Sequence, residues 1–501
     1  MNKLILFEDE HLLVINKPSG INTHKPDRCA PDGIHEWLTR RQPRWAKLSI
    51  LQRLDKDTSG VMLFGKTRKA NQSLSRQFES HTIEKRYLLL SSARPTRSKF
   101  YAQTPGAETE FEFIQAHGKF FLTAARPTTG KTHQIRQHAA ENGFPILGDT
   151  EYEGQPAPRL MLHAHRLVFE HPDSGERMTM EATVPAAFDE LDPLVAAREF
   201  RKLLFDEQTS AFRLVSGAAD GFPEVIVDSY AGTLLVQWQS EAAARQSAAL
   251  IEQLRTQCAP RAIYEQLVTR AKREQPKVVA AEQPPAGRFP IRENGLEFLI
   301  SFGEGLSTGI FLDQRENRRR LLTAALAGKT VLNCFAYTCA FSVAAAKAGA
   351  ITTSIDLSRK YLEWGKDNFR ANGLDPAAHV FLVGDVFDWL KRFPKRGQTW
   401  DVVILDPPTF STTKKGRAFQ AERDYEELLA RAMPLVVKGG TLLASTNMRT
   451  LSAENFEASL PRAAQRTGRV TESLEFETVP FDFRLAEGER PYLKTLWARL
   501  G

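Results

Sequence analysis

One aspartate in the stretch ILQRLDKDTSGVMLFGK (residues 50–66) has the surroundings of a catalytic carboxylate. Asp55 lies two residues after Arg53 and just before a Thr-Ser-Gly turn, and the apolar run 61–64 follows that turn. A carboxylate at a strand end, beside the flexible Gly60, is positioned to face a bound ligand. A lone aspartate in a loop more often caps a turn, so partners elsewhere in the chain must decide between the two interpretations.

Three stretches together resemble the RluA-type pseudouridine synthases: RLDKDTSG (53–60), EKRYLLL (84–90) and ARPTTGKTHQIRQHAAENGFPILGD (125–149). The resemblance continues to residue 172 and implies an enzyme that isomerises uridine in RNA without a cofactor. It implies that Asp55 is the nucleophile and that Arg53 occupies the space left by a flipped base. It further implies that Tyr87 stacks on the uracil and handles protons, and that Arg136 pairs with Asp55 and holds it ionised.

The third of these stretches also contains Lys131, His133 and His138. Lys131 stands where many members of the resembled family carry arginine, and it keeps the positive charge. His133 and His138 are candidates for acid–base groups. No metal or triad pattern surrounds them in the sequence, which favours a structural role for both.

A second group of acids lies at the predicted carboxyl ends of successive strands. Asp356 ends ITTSID, Asp385 ends VFLVGD and Asp406 ends WDVVILD. In a doubly wound parallel sheet, ligands bind outside the carboxyl ends of the strands, and an acid placed like Asp356 can accept hydrogen bonds from both ribose hydroxyls. Because all three acids lie at the ends of successive strands, a role limited to capping a helix is disfavoured for each of them. The loop NCFAYTCAF (333–341) carries small residues where such sites usually have glycines.

These stretches, with GLSTGIFLDQRENRR (305–319) and LDPPTFSTTKK (405–415), resemble the large-subunit ribosomal RNA methyltransferases of the RlmI/RlmK type, which use S-adenosylmethionine (AdoMet). The resemblance implies that AdoMet is bound by Asp313, Arg315, Asn333, Phe335, Tyr337, Thr338, Asp356, Asp385 and Asp406. It implies an acceptor side formed by Asp406, the stiff pair Pro407 and Pro408, and Phe410, whose ring can stack on a base. As an alternative, FLDQRENR is only a capped helix start with solvent-exposed ion pairs.

The sequence also bears on which atom is methylated. Methylation of cytosine at C5 requires a cysteine that attacks the ring. In the cytosine-type members of the resembled family a cysteine follows the strand after Gly-Gly, whereas KGGTLLASTNMRTL (438–451) has Asn447 at that position. Cys334 and Cys339 belong to the predicted AdoMet loop. Cytosine C5 is therefore disfavoured. The stretches YLEWGKDNF (361–369), DPPTFSTTKK (406–415) and ASTNMRTL (444–451) look closer to the guanine-N7 type of the resembled family, and transfer to N7 needs only a lone pair in line with the methyl group.

The hydrophobic pattern predicts a multidomain protein. Residues 10–185 alternate short apolar runs with turns, which indicates an antiparallel-rich α+β domain; the resemblance implies that it is a pseudouridine synthase fold. From residue 291 strands alternate with helices, which indicates a doubly wound α/β sheet; the resemblance implies that it is a Rossmann-like class I methyltransferase. We predict a pseudouridine synthase domain at 1–186, a helical connector at 187–208, a small α+β substrate-orienting module at 209–290 and the methyltransferase domain at 291–501.

Composition sets wider bounds. A chain of 501 residues is too long for one domain, and 42% hydrophobic residues suit folded cores. Residues 1–100 carry 19 Lys and Arg against 10 Asp and Glu, and the whole chain has a formal charge of +7. Such a surface attracts a phosphate backbone, although a solvated basic face without a partner is also common. The four scattered cysteines suit a reducing cytoplasm, and no apolar run is long enough to cross a membrane.

We therefore expect a bifunctional RNA modification enzyme that uses AdoMet and acts on RNA, in particular large-subunit ribosomal RNA. Two alternatives stay open. In the first, the synthase-like part only grips RNA for the methyltransferase; the intact Arg53, Asp55, Tyr87 and Arg136 argue against it. In the second, the chain is a non-enzymatic RNA-binding assembly factor, for which loss of Asp55 or of the DPPTF motif is expected, and both are present.

Overall fold

The computed structural model describes residues 3–269, 271–305, 307–408, 410–412 and 418–501, without the side chains of 410–412 and 418–422. The chain divides into two compact units. Unit 1 comprises Met1–Pro26, Asp32–Asp206 and Gly217–Pro223, and unit 2 comprises Asp27–Pro31, Glu207–Ser216 and Glu224–Gly501. Among the described residues, no helix is long and apolar enough to cross a membrane. The finer division at 186, 208 and 290 stays a prediction.

Unit 1 is built on one large, mostly antiparallel sheet. Its strands run in the order β1-β2-β4-β9-β5-β8-β7-β6, with β3 paired to β4 and β10 to β9. The elements are β1 Ile5–Glu8, β2 Leu12–Lys17, α1 Ile34–Thr39, β3 Ser49–Ile50, β4 Ser59–Gly65, α2 Arg68–Glu79, β5 Glu84–Ser91, β6 Lys99–Thr104, β7 Ala107–His117, β8 Phe120–Pro127, α3 Gln134–Glu141, β9 Leu162–Glu170, β10 Arg177–Glu181 and α4 Pro193–Leu204.

The centre of this sheet is buried, which fixes the frame of the predicted catalytic loop. Every residue of β2 and β4 is buried, as expected for central strands that read as continuous apolar runs. β4 also makes a short parallel pairing with β9, where Gly60 opposes Ala164. Gly60 has a φ of 118°, and a Cβ there would lie 2.2 Å from the Ala164 carbonyl oxygen. Glycine is therefore required at the turn that follows Asp55.

Unit 2 begins with a smaller sheet in the order β11-β12-β13-β14-β15 and a two-stranded pair, β16-β17. Two helices, α5 and α6, meet at Gln246. The elements are β11 Ala211–Ser216, β12 Val225–Tyr230, β13 Thr233–Trp238, α5 Glu241–Arg245, α6 Ser247–Cys258, β14 Ala262–Leu267, β15 Lys277–Ala281, β16 Phe289–Glu293 and β17 Leu296–Ile300.

The rest of unit 2 is a doubly wound sheet in the order β20-β19-β18-β21-β24-β26-β25. In this sheet β20, β19, β18, β21 and β24 pair in parallel, and β26 is antiparallel to both of its neighbours. β22 and β23 form a separate antiparallel pair. The elements are α7 Arg315–Thr323, β18 Thr330–Cys334, α8 Ala340–Lys347, β19 Ile351–Asp356, α9 Arg359–Ala371, β20 Val380–Val383, α10 Val386–Arg392, β21 Trp400–Leu405, β22 Phe410–Thr412, β23 Ala418–Gln420, α11 Ala421–Ala432, β24 Val436–Thr446, α12 Ala453–Thr467, β25 Thr471–Glu477 and β26 Lys494–Leu500.

The strand order brings the predicted acids to one edge of this sheet. β18 lies between β19 and β21, and the three strands run in the same direction. The ends of β19 and β21 therefore place Asp356 and Asp406 on either side of the loop that follows β18. Helices pack on both faces through their apolar sides, and α8 is almost wholly buried. The central parallel strands are therefore buried on both faces, which explains their continuous hydrophobic runs in the sequence.

Candidate active sites

A cleft of about 270 Å³ in unit 1 brings together the four residues predicted for uridine isomerisation. Arg53, Asp55, Tyr87 and Arg136 all line it. The first two belong to the loop between β3 and β4, Tyr87 lies in β5, and Arg136 lies in the first turn of α3. Side chains that are far apart in the sequence thus meet around one carboxylate.

The loop that carries Asp55 is held by side chains from residues 17–23. Three hydrogen bonds reach its main-chain carbonyls: Lys17 Nζ to Lys56 (3.0 Å), Ser19 Oγ to Asp57 (2.6 Å) and Thr23 Oγ1 to Leu54 (3.0 Å). Lys17 is fully buried, and desolvation lowers its pKa to about 7. Sequence reasoning missed these supports, although a lysine that ends the apolar strand LLVINK is a usable signal because buried lysines need partners.

The closest partner of Arg136 is not Asp55. Its guanidinium donates two hydrogen bonds of 2.7 Å to the carboxylate of Asp149. Arg136 Nη1 lies 4.0 Å from Asp55 Oδ2. The predicted pair of Arg136 with Asp55 is present as this longer ion pair, while the buried Asp149 takes the fork of the guanidinium. Asp55 keeps a positive neighbour without a short hydrogen bond to it.

His133 also lines the cleft, in contrast to the structural role predicted for it. Its Nε2 lies 4.0 Å from Asp55 Oδ1, and its Nδ1 lies 3.1 Å from a carboxylate oxygen of Glu151. His138 differs, since it is buried and contacts the hydroxyls of Thr104 and Thr109 at 3.1 and 3.0 Å. The two histidines of one motif therefore have different surroundings.

Tyr87 and Lys131 complete the wall of this cleft. Burial and the charge of Asp55 raise the pKa of the Tyr87 phenol above its ordinary value of 10.0. The phenol therefore stays protonated at neutral pH and can act as a hydrogen-bond donor and a flat apolar surface. Lys85 also lines the cleft, and its Nζ donates to the carbonyl of Thr129 at 3.0 Å, which ties β5 to the loop before α3.

Unit 2 contains a second pocket, of about 370 Å³, at the carboxyl ends of the parallel strands. Most of the residues predicted for AdoMet and for the acceptor line it: Asp313, Phe335, Tyr337, Asp356, Asp385, Asp406, Pro407 and Pro408. Phe410 begins β22, and its side chain lies outside the described residues. Sequence reasoning missed other lining residues, among them Phe311, Leu357, Asp424 and Leu493. Phe311 and Leu357 are exposed, Leu493 precedes β26, and Asp424 lies in α11, so they share no periodic signal.

The loop after β18 reaches the pocket by a strained route. Phe335, Tyr337 and Cys339 adopt φ values of 63°, 48° and 61°. Residues other than glycine rarely adopt this left-handed conformation, and such strain clusters at ligand sites. The loop therefore contains no glycine, yet it adopts a backbone conformation that usually requires glycine.

Asp356 is held by the main chain on both sides. Its Oδ2 accepts a hydrogen bond from the backbone N–H of Tyr337 (2.9 Å) and its Oδ1 from that of Ser358 (2.8 Å). Burial nevertheless raises the pKa of the Asp356 carboxyl. Each oxygen keeps a further lone pair, so the carboxylate is oriented to accept two hydroxyl donors. Asp385 both lines the pocket and caps α10 through the N–H of Asp388 (3.2 Å).

Asp406 is fixed by a buried amide. Gln314 Nε2 donates to Asp406 Oδ1 at 3.0 Å and to Ser445 Oγ at 2.7 Å. Burial and the neighbouring Asp313 raise the pKa of Asp406 to about 7. Asp313 itself accepts a hydrogen bond from the Tyr492 hydroxyl (2.8 Å), and burial raises its pKa. The pocket therefore holds two close acidic groups that favour a cationic ligand.

Three residues predicted to bind the cofactor do not line the pocket. Arg315 is buried and forms an ion pair with Asp482, because α7 begins at this residue and turns its side chain away from Asp313. Asn333 donates to Ser342 Oγ at 2.8 Å beneath the loop, and Thr338 donates to the Gly309 carbonyl at 2.6 Å. All three support the pocket from behind.

Comparison with known proteins decides the family of unit 2. The model of the S-adenosylmethionine-dependent methyltransferase family matches residues 213–482. The chain belongs to this family. Its methyltransferase part is 34% identical, over 312 residues, to the ribosomal RNA large subunit methyltransferase I of Aeromonas salmonicida, covering 60% of this chain and 78% of that protein. It is 39% identical, over 224 residues, to the methyltransferase K/L of a Psychrobacter species, covering 44% and 26%.

A solved structure supports the same assignment. SMU.776, described as a methyltransferase complexed with SAH, superposes on this methyltransferase with a TM-score of 0.56 and 27% identity, covering 66% of this chain and 87% of that one. SAH is AdoMet after loss of its methyl group, so AdoMet is the cofactor. The model of the RNA pseudouridylate synthase family matches residues 11–141. The predicted fold class and both families are thereby confirmed, and the chain carries two enzymatic domains.

Proposed function

We propose that this methyltransferase is a bifunctional modification enzyme of large-subunit ribosomal RNA in the cytoplasm. One domain converts a uridine to pseudouridine, and the other transfers a methyl group from AdoMet to a base, at guanine N7. The observation that carries the proposal is that one chain has both the cleft around Asp55 and the pocket around Asp356 and Asp406. The names of its relatives, which are ribosomal RNA large subunit methyltransferases, support the substrate class.

The isomerisation is assigned to the cleft of unit 1. Asp55 attacks the sugar carbon of a flipped uridine, and the glycosidic C–N bond breaks. The uracil then turns and joins the same carbon through its C5, while the bond from that carbon to Asp55 breaks and releases the carboxylate. The exposed Arg53 fills the gap in the RNA stack. Tyr87 supports the uracil ring, and Arg136 places a positive charge 4.0 Å from the nucleophile.

The donor set of the second pocket fits AdoMet. The sulfonium and amino groups of AdoMet are cationic, and Asp313 and Asp406 are two acidic neighbours of the pocket. Asp356, oriented by two backbone N–H groups, would hold the ribose hydroxyls. When bound, AdoMet supplies an electrophilic methyl group. Pro407 and Pro408 give the acceptor side a stiff backbone, which helps to align a base for in-line transfer.

The surroundings of the cysteines favour guanine N7 as the acceptor atom. Among the described residues that line the pocket there is no cysteine, and Asn447 is one of them. Cys334 and Cys339 are fully buried, and burial raises the pKa of the Cys339 thiol to about 12. Attack on cytosine C6 needs a thiolate at the acceptor, whereas guanine N7 offers a lone pair and requires no proton removal.

Mass spectrometry of large-subunit RNA from cells with and without the gene tests the proposal. We expect the deletion to remove one pseudouridine and one 7-methylguanine, and the wild-type gene to restore both. Loss of the methyl mark alone would leave the first domain as an RNA grip. Loss of a 5-methylcytosine in place of 7-methylguanine would overturn the argument from Asn447 and support the cytosine-C5 alternative.

A further inference from the structure

We propose that His133 is the base that removes the proton from C5 of the target uracil after the new carbon–carbon bond has formed. The inference rests on the proposed pseudouridine activity and assigns a group that completes it. His133 lies outside the residues predicted for catalysis, and its sequence context gave it a structural role. Its position in the cleft carries the proposal.

The geometry places the imidazole beside the nucleophile. The two oxygens of Asp55 each face one basic side chain at 4.0 Å: Oδ2 faces Arg136 Nη1 and Oδ1 faces His133 Nε2. At this distance Nε2 makes no short hydrogen bond to the carboxylate, so it can turn to a substrate held against Asp55. The cleft residues Tyr87 and Lys131 bound the same space.

The far side of the imidazole is anchored. His133 Nδ1 lies 3.1 Å from a carboxylate oxygen of Glu151 and 3.4 Å from the Tyr152 hydroxyl, whose ring packs edge-on against it. With a proton on Nδ1, which faces this carboxylate, Nε2 keeps its lone pair, as a base requires. His133 also adopts a φ of 54° immediately before α3, a left-handed conformation that turns this residue out of the helix.

The isomerisation requires such a base whatever the route to the new bond. When C5 of uracil joins the sugar carbon, C5 still carries its hydrogen, and N1 and C6 share a double bond. His133 Nε2 takes the C5 proton, and the C5–H electron pair forms the C5–C6 double bond. The N1–C6 π pair moves to N1, which takes a proton from the resulting imidazolium. Atoms and charges balance, and the histidine is regenerated.

The other groups in the cleft are less suited to this step. The phenol of Tyr87 has its pKa raised by burial and by Asp55, so it keeps its proton at neutral pH. Arg136 is bound bidentately by Asp149 and stays protonated. Lys85 donates its ammonium to the Thr129 carbonyl.

The test compares uridine with 5-fluorouridine at the target. We would prepare His133→Asn, together with the same change at His117, which lies at the end of β7 outside the cleft lining. Each protein reacts with a large-subunit RNA transcript containing uridine or 5-fluorouridine, and the nucleosides are separated by mass spectrometry. Fluorine replaces the C5 proton, so rearrangement of 5-fluorouridine needs no base at C5.

We expect His133→Asn to slow pseudouridine formation by about 10²- to 10⁴-fold, the usual contribution of a general base, and to rearrange 5-fluorouridine at close to the wild-type rate. The second reaction also shows that the variant is folded. His117→Asn should match wild type on both substrates. Unchanged pseudouridine formation in His133→Asn would overturn the inference and point to Asp55 as the base, and equal losses on both substrates would make His133 a positioning residue.

The Tyr87→Phe variant tests whether the Tyr87 phenol, rather than His133, is the base. If that variant, rather than His133→Asn, loses only the uridine reaction, the phenol is the base and the inference is wrong. If wild-type protein forms no pseudouridine in the transcript and the deletion strain loses none, the proposed activity of unit 1 fails, which is a different result from the failure of His133 alone.

Discussion

The aspartates of the two sites have different neighbours. Asp55 lies between two basic side chains at 4.0 Å, which suits a nucleophile that must stay available. Asp406 lies beside Asp313 in an enclosed pocket, and both influences raise its pKa to about 7. Asp55 therefore has basic neighbours, whereas the surroundings of Asp406 raise the pKa of its carboxyl.

AdoMet binding should depend on the charge of Asp406. The pKa of this carboxyl in the folded protein, about 7, exceeds the ordinary value of 3.8, so the folded pocket takes up a proton as the pH falls below 7. Protonation removes a negative charge that favours the cationic cofactor. We expect AdoMet affinity to weaken by about tenfold between pH 8 and pH 6, measured by titration calorimetry.

The groups around Asp406 suggest a control variant for this pH dependence. Asp313 and Arg318 act on it, and Gln314 and Ser445 bond to it. Asp406→Asn keeps the shape of the side chain and should bind AdoMet weakly at both pH values, with most of the pH dependence lost. A pH dependence as steep as in wild type would show that another group titrates.

Replacement of Arg136 should reduce stability as well as activity. Its close partner Asp149 has a fully buried side chain, and Arg136→Ala leaves that carboxylate without its cation. Breaking a buried pair by removing one partner costs about 3–5 kcal/mol, so chemical unfolding should show a loss of this size. Asp55→Ala is the control, since its carboxylate is 29% exposed and lies 4.0 Å from Arg136; its unfolding should change by less than about 1 kcal/mol.

At the scale of elements, α9 constrains the strained AdoMet loop through a glycine. A Cβ at Gly365 would lie 2.5 Å from Cys339 Sγ and 2.9 Å from its Cβ. Gly365→Ala would improve helix propensity by about 1 kcal/mol in open space, yet here it must push the loop away from α9. We expect a lower melting temperature and at least about tenfold weaker AdoMet binding, equivalent to 1.4 kcal/mol.

Gly303 provides the matched comparison for Gly365. It belongs to the same unit, and a Cβ there would meet no atom within 4 Å. Gly303→Ala should leave both the melting temperature and AdoMet binding close to wild type. If the two alanine variants behave alike, the close contact with Cys339 does not restrict the loop.

Strand periodicity and motifs predicted the elements better than the contacts between them. The alternation after residue 291 predicted the parallel sheet because its strands are buried on both faces, and the motif spacing predicted the acids at its edge. Neither pattern predicted that Arg315 faces Asp482, 167 residues further along the chain. The direction of the Arg315 side chain depends on where α7 begins. Arg136 and Asp149 lie in the same motif, residues 125–149, but their pairing depends on a turn that no local pattern encodes.

At the scale of the molecule, charge and fold have separate consequences. The excess of 19 Lys and Arg over 10 Asp and Glu in residues 1–100 should favour RNA through its phosphates, in a manner that weakens as salt rises. Each unit has its own buried core and its own pocket. No residue that lines one pocket lines the other, so the two activities should be independent of each other.

We expect each activity to survive loss of the other. Asp55→Asn keeps the side-chain shape but removes the nucleophile, so pseudouridine should fall below detection while methylation continues at close to the wild-type rate. Asp356→Ala removes the oriented acceptor for ribose, so methylation should fall by at least about 100-fold, the equivalent of two lost charge-assisted hydrogen bonds, with pseudouridine formation unchanged. Both modifications are quantified by mass spectrometry in the same RNA from a deletion strain that expresses each variant. Loss of both marks from either folded variant would mean that one reaction prepares the RNA for the other, and the order could then be read from which variant abolishes both.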